Sequence, residues 1–313
     1  MLTYLVRRVL ATVPVMAVVA LFVFSLLSLA PGDPAAIIAG DQATPEDVAR
    51  IRATLGLDRP FLFRFAEWAW RILHGDLGTS IFTSLPVTHM IAQRIEPTLS
   101  LLLLTLLIAV TVAVPLGVLA AWKHDSLLDR AAMVLSVLGF SMPVFVVGYL
   151  LAYVFALRLR WLPVQGFSPI ENGVRPFLAS LVLPAVTLAL LYIALIARIT
   201  RATMLDVLAQ DYVRTARAKG VGQAGILFVH ALRNAAVPIV TVIGIGFAAL
   251  VSGAVVTESV FAIPGVGRLV TDAILRRDYP VIQGVVLLFS FLYVLINLGV
   301  DLLYTAFDPR IRY

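Results

Sequence analysis

Apolar residues gather in long runs, and the charged residues fall almost entirely between them. Charge-free runs extend from Val9 to Ala30, Thr98 to Trp122, Ala131 to Leu157, Phe177 to Ala197 and Ala235 to Thr257. A sixth, Val281 to Phe307, holds a single Asp. Each exceeds the roughly 20 residues that a helix needs to cross a hydrocarbon core of about 30 Å. The pattern predicts an all-α integral membrane protein with six transmembrane helices. The first run, with Arg7-Arg8 before it and Ser28-Leu29-Ala30 at its end, imitates a cleavable signal. Its 22 residues exceed the about 7 to 15 of a signal's apolar region, and Pro31 occupies the site of a new terminus, so a retained first span is expected.

The polar stretches carry helix signals of their own. Thr44-Pro45 followed by Glu46 and Asp47 reads as a helix start, with Pro at the first position and acids at the positive end of the dipole, and Gly56 can close that helix. Pro60 opens a second helix whose Phe61, Phe63, Phe65, Trp68 and Trp70 either pack within a small cap or lie on the bilayer surface or an outer partner. A third starts at Pro86 and feeds the second span. Between the fourth and fifth spans lies Arg198–Asn234, a 37-residue stretch with six Lys or Arg against two Asp. A short helix is expected there from Asp211 to Lys219, with an acid at its start, a base at its end and Gly220 as a left-handed cap.

Composition narrows the class: 61% hydrophobic residues, 13% charged residues and a mean hydropathy of +0.98 exclude an ordinary soluble domain. With both termini inside, the loops tie at 12 basic residues a side. Six of the outer ones fall in the 67-residue stretch from Pro31 to Pro97, too long to count in the positive-inside comparison. Without it the inside holds twelve and the outside six, which places both termini and the Arg198–Asn234 loop in the cytoplasm.

Several chemistries are absent from the inventory. There is no Cys, and the two lysines, Lys123 and Lys219, follow Trp122 and Ala218 rather than the Gly of a phosphate-binding loop. No ATPase site is expected in this chain. Ion coupling needs ionisable groups at depth, and only Asp301 lies inside a span, about 9 Å from its end at 1.5 Å per residue. Snorkelling or pairing with a nearby Arg is the expected role, an ion site the alternative. Gly139-Phe140-Ser141 resembles part of a nucleophile motif, yet His74, His89, His124 and His230 all fall outside the spans, leaving Ser141 no base. No covalent catalysis and no HExxH metal site is expected. Pro115, Pro143 and Pro184 with Gly117, Gly139 and Gly148 mark either gating breaks or ordinary helix kinks. Glu258, Asp272 and Asp278 are open to a cationic substrate or to solvated and packing roles. An ion-coupled secondary transporter and a non-transporting receptor or scaffold remain the rival readings of these residues.

The loop resembles the cytoplasmic loop of importer permeases of the ABC transporter superfamily, whose pattern is EAA, three residues, Gly, nine residues, then I-x-L-P. Ala216, Gly220 and Leu232 match; Arg214, Thr215, His230 and Arg233 depart from it, with Asp211 one turn before the position of the Glu. The resemblance sharpens to the dipeptide, oligopeptide and nickel permeases, glutathione permeases included. The stretches that carry it are Pro31-Gly32-Asp33-Pro34, Leu55 to Pro60, Gly75 to Gly78, Pro86-Val87, DYVRTARAKG at Asp211–Gly220, VFAIPGVGRL at Val260–Leu269, RDYPVIQG at Arg277–Gly284 and DLLYTAFDPRIRY from Asp301.

That resemblance implies a bacterial inner-membrane permease subunit that binds no cofactor. Its expected partners are a second, similar permease in a heterodimer, two subunits that bind ATP and Mg, and an external substrate-binding protein, with no nucleic acid. It divides the chain into a tail and first span (1–30), an outer helical segment (31–97) and the importer transmembrane domain (98–313) with the coupling loop 198–234. The contact with the ATPase falls to Asp211, Tyr212, Arg214, Thr215, Ala216, Lys219 and Gly220. The stretch from Glu258 to Pro280 is expected to cap the pore, with Glu258, Pro264 and Gly265 at an outer gate.

Overall fold

The computed structural model describes residues 2–29, 33–40, 43–54 and 56–307. Pro31-Gly32, Leu55 and the closing 308–313, all parts of the motifs quoted above, lie outside the described residues. The helices are α1 (Leu2–Leu29), α2 (Pro34–Ala39), α3 (Pro45–Thr54), α4 (Phe61–Leu73), α5 (Val87–Trp122), α6 (Leu127–Ser141), α7 (Val144–Leu151), α8 (Val174–Leu208), α9 (Asp211–Ala218), α10 (Leu232–Val260), α11 (Val266–Arg276) and α12 (Tyr279–Phe307). π-helical turns at Ala152–Arg158 and Gly225–Ala231 extend α7 and lead into α10.

Local chemistry explains where several of these start. Thr44 and Asp47 form a reciprocal capping box before α3: the Asp47 amide donates to Thr44 Oγ1 at 3.3 Å and the Thr44 amide to Asp47 Oδ2 at 3.2 Å. Asp33 caps α2 through the Ala35 amide at 3.2 Å and holds Arg52 of α3 at 2.5 Å. Ser126 caps α6 by accepting the Asp129 amide at 3.3 Å.

Among the described residues, five helices are long and apolar enough to cross a membrane: Leu10–Leu29, Val87–Trp122, Val174–Leu208, Gly225–Val260 and Tyr279–Leu302. The third expected span is not continuous. Helix α6 and the helix opening at Val144 meet at 105° around Met142-Pro143, because Pro lacks the amide and fixes the φ that a continuing helix needs to share. Pro115 and Pro184 stay inside unbroken helices. Ser141 donates back to the Val137 carbonyl at 2.8 Å, closing α6 rather than serving chemistry.

The chain divides into two compact units. One comprises Ile95–Arg268 with the chain from Leu295 onward. Its centre is α8, packed on α6, α7 and α10, with Leu181, Leu188, Ile196 and Leu250 fully buried. Small residues bring helices close: a Cβ at Gly117 would stand 2.6 Å from Thr200 Cβ, and one at Gly244 2.3 Å from Val300 Cγ2.

The other unit comprises Leu2–Arg94 with Leu269–Val294. Phe24 of α1 receives Phe61, Phe65 and Trp68 of α4 with ring centroids 5.3, 5.6 and 5.2 Å away. Packing is therefore the role of these three, whereas Phe63 and Trp70 point outward. Motifs about 200 residues apart meet in this unit. Asp278 is buried and accepts from Ser80 Oγ at 2.5 Å and the Ile81 amide at 3.3 Å. Gly284 has no room for a Cβ, which would lie 2.7 Å from Val87 Cγ1.

Candidate functional site

Helix α9 begins one residue after the Gln210 cap and ends in a Schellman motif. The Val221 amide donates to the Ala216 carbonyl at 3.1 Å and the Gly220 amide to the Arg217 carbonyl at 3.0 Å. Gly220 takes φ +80°, which this motif requires and which a side chain resists. Val213 and Ala216, three apart, share the buried face. That face packs on the π-helical turn Gly225–Ala231. Beneath it, Val118 and Ala121 of α5, Met204 of α8, Leu227 and Ala231 of the turn and Ala235 and Ile239 of α10 form one buried cluster.

The opposite face is polar and solvated. Arg214 pairs with Asp211 at 3.2 Å, both side chains well exposed. Thr215 Oγ1 donates to the Asp211 carbonyl at 3.0 Å. Burial pushes the Tyr212 phenol above its ordinary range, against the smaller opposite effect of a hydrogen bond with Asn234.

A second tie lies at α6. Asp129, 3% exposed, receives the Arg201 guanidinium in a fork: Nη2 donates to Oδ2 at 2.7 Å and Nε to Oδ1. His124, Asp125 and Asp129 lie close enough to hold a metal ion. Arg201 already engages both Asp129 oxygens, so this donor set is charge-compensated within the chain.

At the far end of α10, Glu258 is fully buried. Its Oε1 accepts from Thr98 Oγ1 at 2.6 Å and its Oε2 from the Arg268 amide at 2.9 Å. Thr98 Oγ1 also accepts the Val266 amide at 2.8 Å. The carboxylate thus caps the N-terminus of α11, where free amides and the helix dipole favour an anion. Gly265 and Gly267 make room for it: a Cβ at either would lie 2.2 Å from Glu258 Cδ or 2.9 Å from Oε2, respectively.

Two family models cover the chain. Residues 1–102 match "Binding-prot-dependent transport system membrane comp, N-term", and residues 113–313 match "Binding-protein-dependent transport system inner membrane component". The chain belongs to this permease family. A probable peptide ABC transporter permease of Sinorhizobium fredii is 57% identical over 310 residues, 99% of each chain. A putative peptide transport system permease of Brucella abortus is 47% identical, and the glutathione transport system permease GsiC of Salmonella typhi 43%, both over 313 residues and the full length of each chain. The inward-facing MetNI methionine ABC transporter shares the fold, with a TM-score of 0.59 and 18% identity over 70% of this chain and 96% of that one. The protein is an ABC importer permease subunit, a transport component rather than an enzyme.

In the permease, Asp211, Tyr212, Arg214, Thr215, Lys219 and Gly220 all lie on the solvated side of α9 and its cap. Ala216 does not; it faces inward with Val213, and Ala218 is the small residue left open to an approaching surface. At the turn before α11 Pro264 is exposed while Gly265 and Glu258 are buried. Of the three acids open to a cationic substrate, Glu258 and Asp278 are engaged inside the protein, and only Asp272 is solvated. Asp301 is buried and not free of partners. The sequence pattern did not disclose the Asp129–Arg201 fork, and Arg201 stood only as one of the six basic residues of the loop. The signal was present in Ser126 and Asp129, a capping-box spacing ahead of an apolar run.

Proposed function

We propose that the solvated face of α9, from Asp211 to Gly220, is the surface on which a separate ATP-binding subunit docks, and that the permease passes a peptide-type solute inward as that subunit works. The observation that carries the reading is the two-sidedness of α9: one face solvated, the other buried at Val213 and Ala216, with the helix seated on the π-helical turn whose Leu227 and Ala231 belong to the cluster that joins α5, α8 and α10. A helix so rooted converts movement of a docked partner into movement of the spans. The peptide and glutathione names of the full-length relatives support the substrate class.

In this reading both termini and the loop 198–234 are cytoplasmic, and the segment 31–97 lies outside ahead of a transmembrane domain 98–313. A second, similar permease completes the pathway as a heterodimer, two partner subunits bind ATP and Mg, and a binding protein delivers substrate from outside. Pro264 and Gly265 form the outer gate, with Glu258 as its fixed anchor. Charge reversal at Arg214 or Lys219, or Gly220→Asp, is expected to weaken copurification of the ATP-binding subunit and abolish uptake while the protein remains inserted. Unchanged copurification and uptake in all three variants would falsify the docking assignment.

A further inference from the structure

Within the unit Leu2–Arg94 with Leu269–Val294, a cavity of about 550 Å³ opens beside α4, within the size range of small-molecule sites. Its charged lining is four arginines, Arg50, Arg59, Arg64 and Arg71, against two acids, Glu67 and Asp76. Glu67 is paired with Arg59 at 3.1 Å, and Asp76 Oδ1 accepts the Gly78 amide at 2.8 Å. Arg64 and Arg71 stand seven residues apart, on one flank of α4, and neither meets a carboxylate among the described residues. Arg64 instead lies over the Phe24 ring, 5.6 Å from its centroid. Burial draws its guanidinium below the ordinary range, a penalty that a bound anion would relieve.

The rest of the wall decides what kind of anion. Phe24, Leu27, Trp68 and Pro280 give it apolar surface beside the hydroxyls of Thr79 and Ser84. An inorganic ion gains nothing from that surface, whereas a carboxylate on a carbon skeleton uses both sides: fork-shaped donors for its oxygens and apolar contact for its chain. We propose that this cavity is a binding site for a small peptide-class carboxylate, with Arg64 and Arg71 holding the carboxylate and Phe24 and Trp68 covering the skeleton. The assignment rests on the peptide-type reading above and adds to it a site in the permease itself.

Trp68 lines the cavity and reports on it. The full chain, copurified with its ATP-binding partner in detergent, is titrated with dialanine, dialanine amide, glutathione and inorganic phosphate while tryptophan fluorescence is followed, with Trp68→Phe marking the signal's origin. Dialanine and glutathione should produce a saturable change that dialanine amide and phosphate match only at concentrations at least tenfold higher. Arg64→Gln with Arg71→Gln should weaken dialanine at least tenfold, and Arg64→Lys with Arg71→Lys should recover part of the loss. Equal binding of acid and amide, equal binding of phosphate, or indifference to the glutamine pair would each overturn the site. ATP-driven peptide uptake by the wild-type complex separates the two claims: uptake without saturable binding sinks the cavity alone, and absence of uptake sinks the peptide reading.

Discussion

Thr98 donates to Glu258 across 2.6 Å and accepts the Val266 amide at 2.8 Å, so a single hydroxyl ties α5 to the end of α10 and the start of α11. Thr98→Val keeps the shape and removes the hydroxyl, leaving a buried carboxylate oxygen and a buried amide unsatisfied. Thermal unfolding in detergent should register a loss of about 1–3 kcal/mol. Gly265→Ala should give the same defect, because its Cβ would displace the Glu258 carboxyl. Combined with Thr98→Val it should add little, as expected of two changes to one network; full additivity would show that Gly265 acts elsewhere.

The fork between Arg201 and Asp129 fastens the start of α6 to α8. Arg201→Gln strands a carboxylate that is 3% exposed and should cost about 1.5–3 kcal/mol. Pairing it with Asp129→Asn should restore much of the stability, since a neutral pair leaves no buried charge. A double variant as unstable as the single would locate the defect in packing instead.

At the cap of α9, space and backbone conformation make different predictions. Nothing lies within 4 Å of a Cβ at Gly220, yet its φ is +80°. Gly220→Asn, which tolerates the left-handed region, should retain copurification of the ATP-binding subunit, and Gly220→Val should lose it. If both variants behave alike, the cap geometry is not what the partner reads.

Asp211 and Arg214 are exposed at 93% and 73% of their side chains, so their pairing adds little stability. Asp211→Asn should shift unfolding by less than about 0.5 kcal/mol while lowering uptake several-fold. A variant with full uptake would remove Asp211 from the docking surface.

Gly244 of α10 faces Val300, in the part of α12 that belongs to the same unit. Gly244→Ala alone should reduce the yield of folded protein, and adding Val300→Ala should recover it by making room for the new methyl. Size-exclusion profiles after mild heating would read this directly, and a double variant no better than the single would argue against the contact.

The spans were legible because length and apolarity alone decide whether a helix can cross a bilayer. The same rule hid the break in the third. Pro143 reads no differently from Pro115 and Pro184, and burial does not separate them either: Pro115 is exposed and Pro184 buried, yet both stay inside continuous helices, whereas Pro143, also exposed, opens a new one. The starts of α3 and α4 and the cap at Gly220 were legible because capping chemistry is local. Glu258, Asp278 and Arg201 were not, since Thr98, Ser80 and Asp129 lie 160, 198 and 72 residues away in sequence. An acid at the end of an apolar run looks the same whether it faces water or a helix end. Trp68 and Trp70 divide likewise, one on Phe24 and the other in the open, from positions only two apart.

The π-helical turn at Gly225–Ala231 also stores slack at the joint. Such a turn holds one residue more than ordinary helix would. Deleting a residue there would let it close as α-helix while α10 keeps its face, because the wide turn absorbs the extra residue itself instead of passing about 100° of rotation on to the helix beyond. The surplus residue is thus a spare link between loop and span. A relative with a one-residue gap inside 225–231 would lose the wide turn and still present its partner with the same face of the short helix.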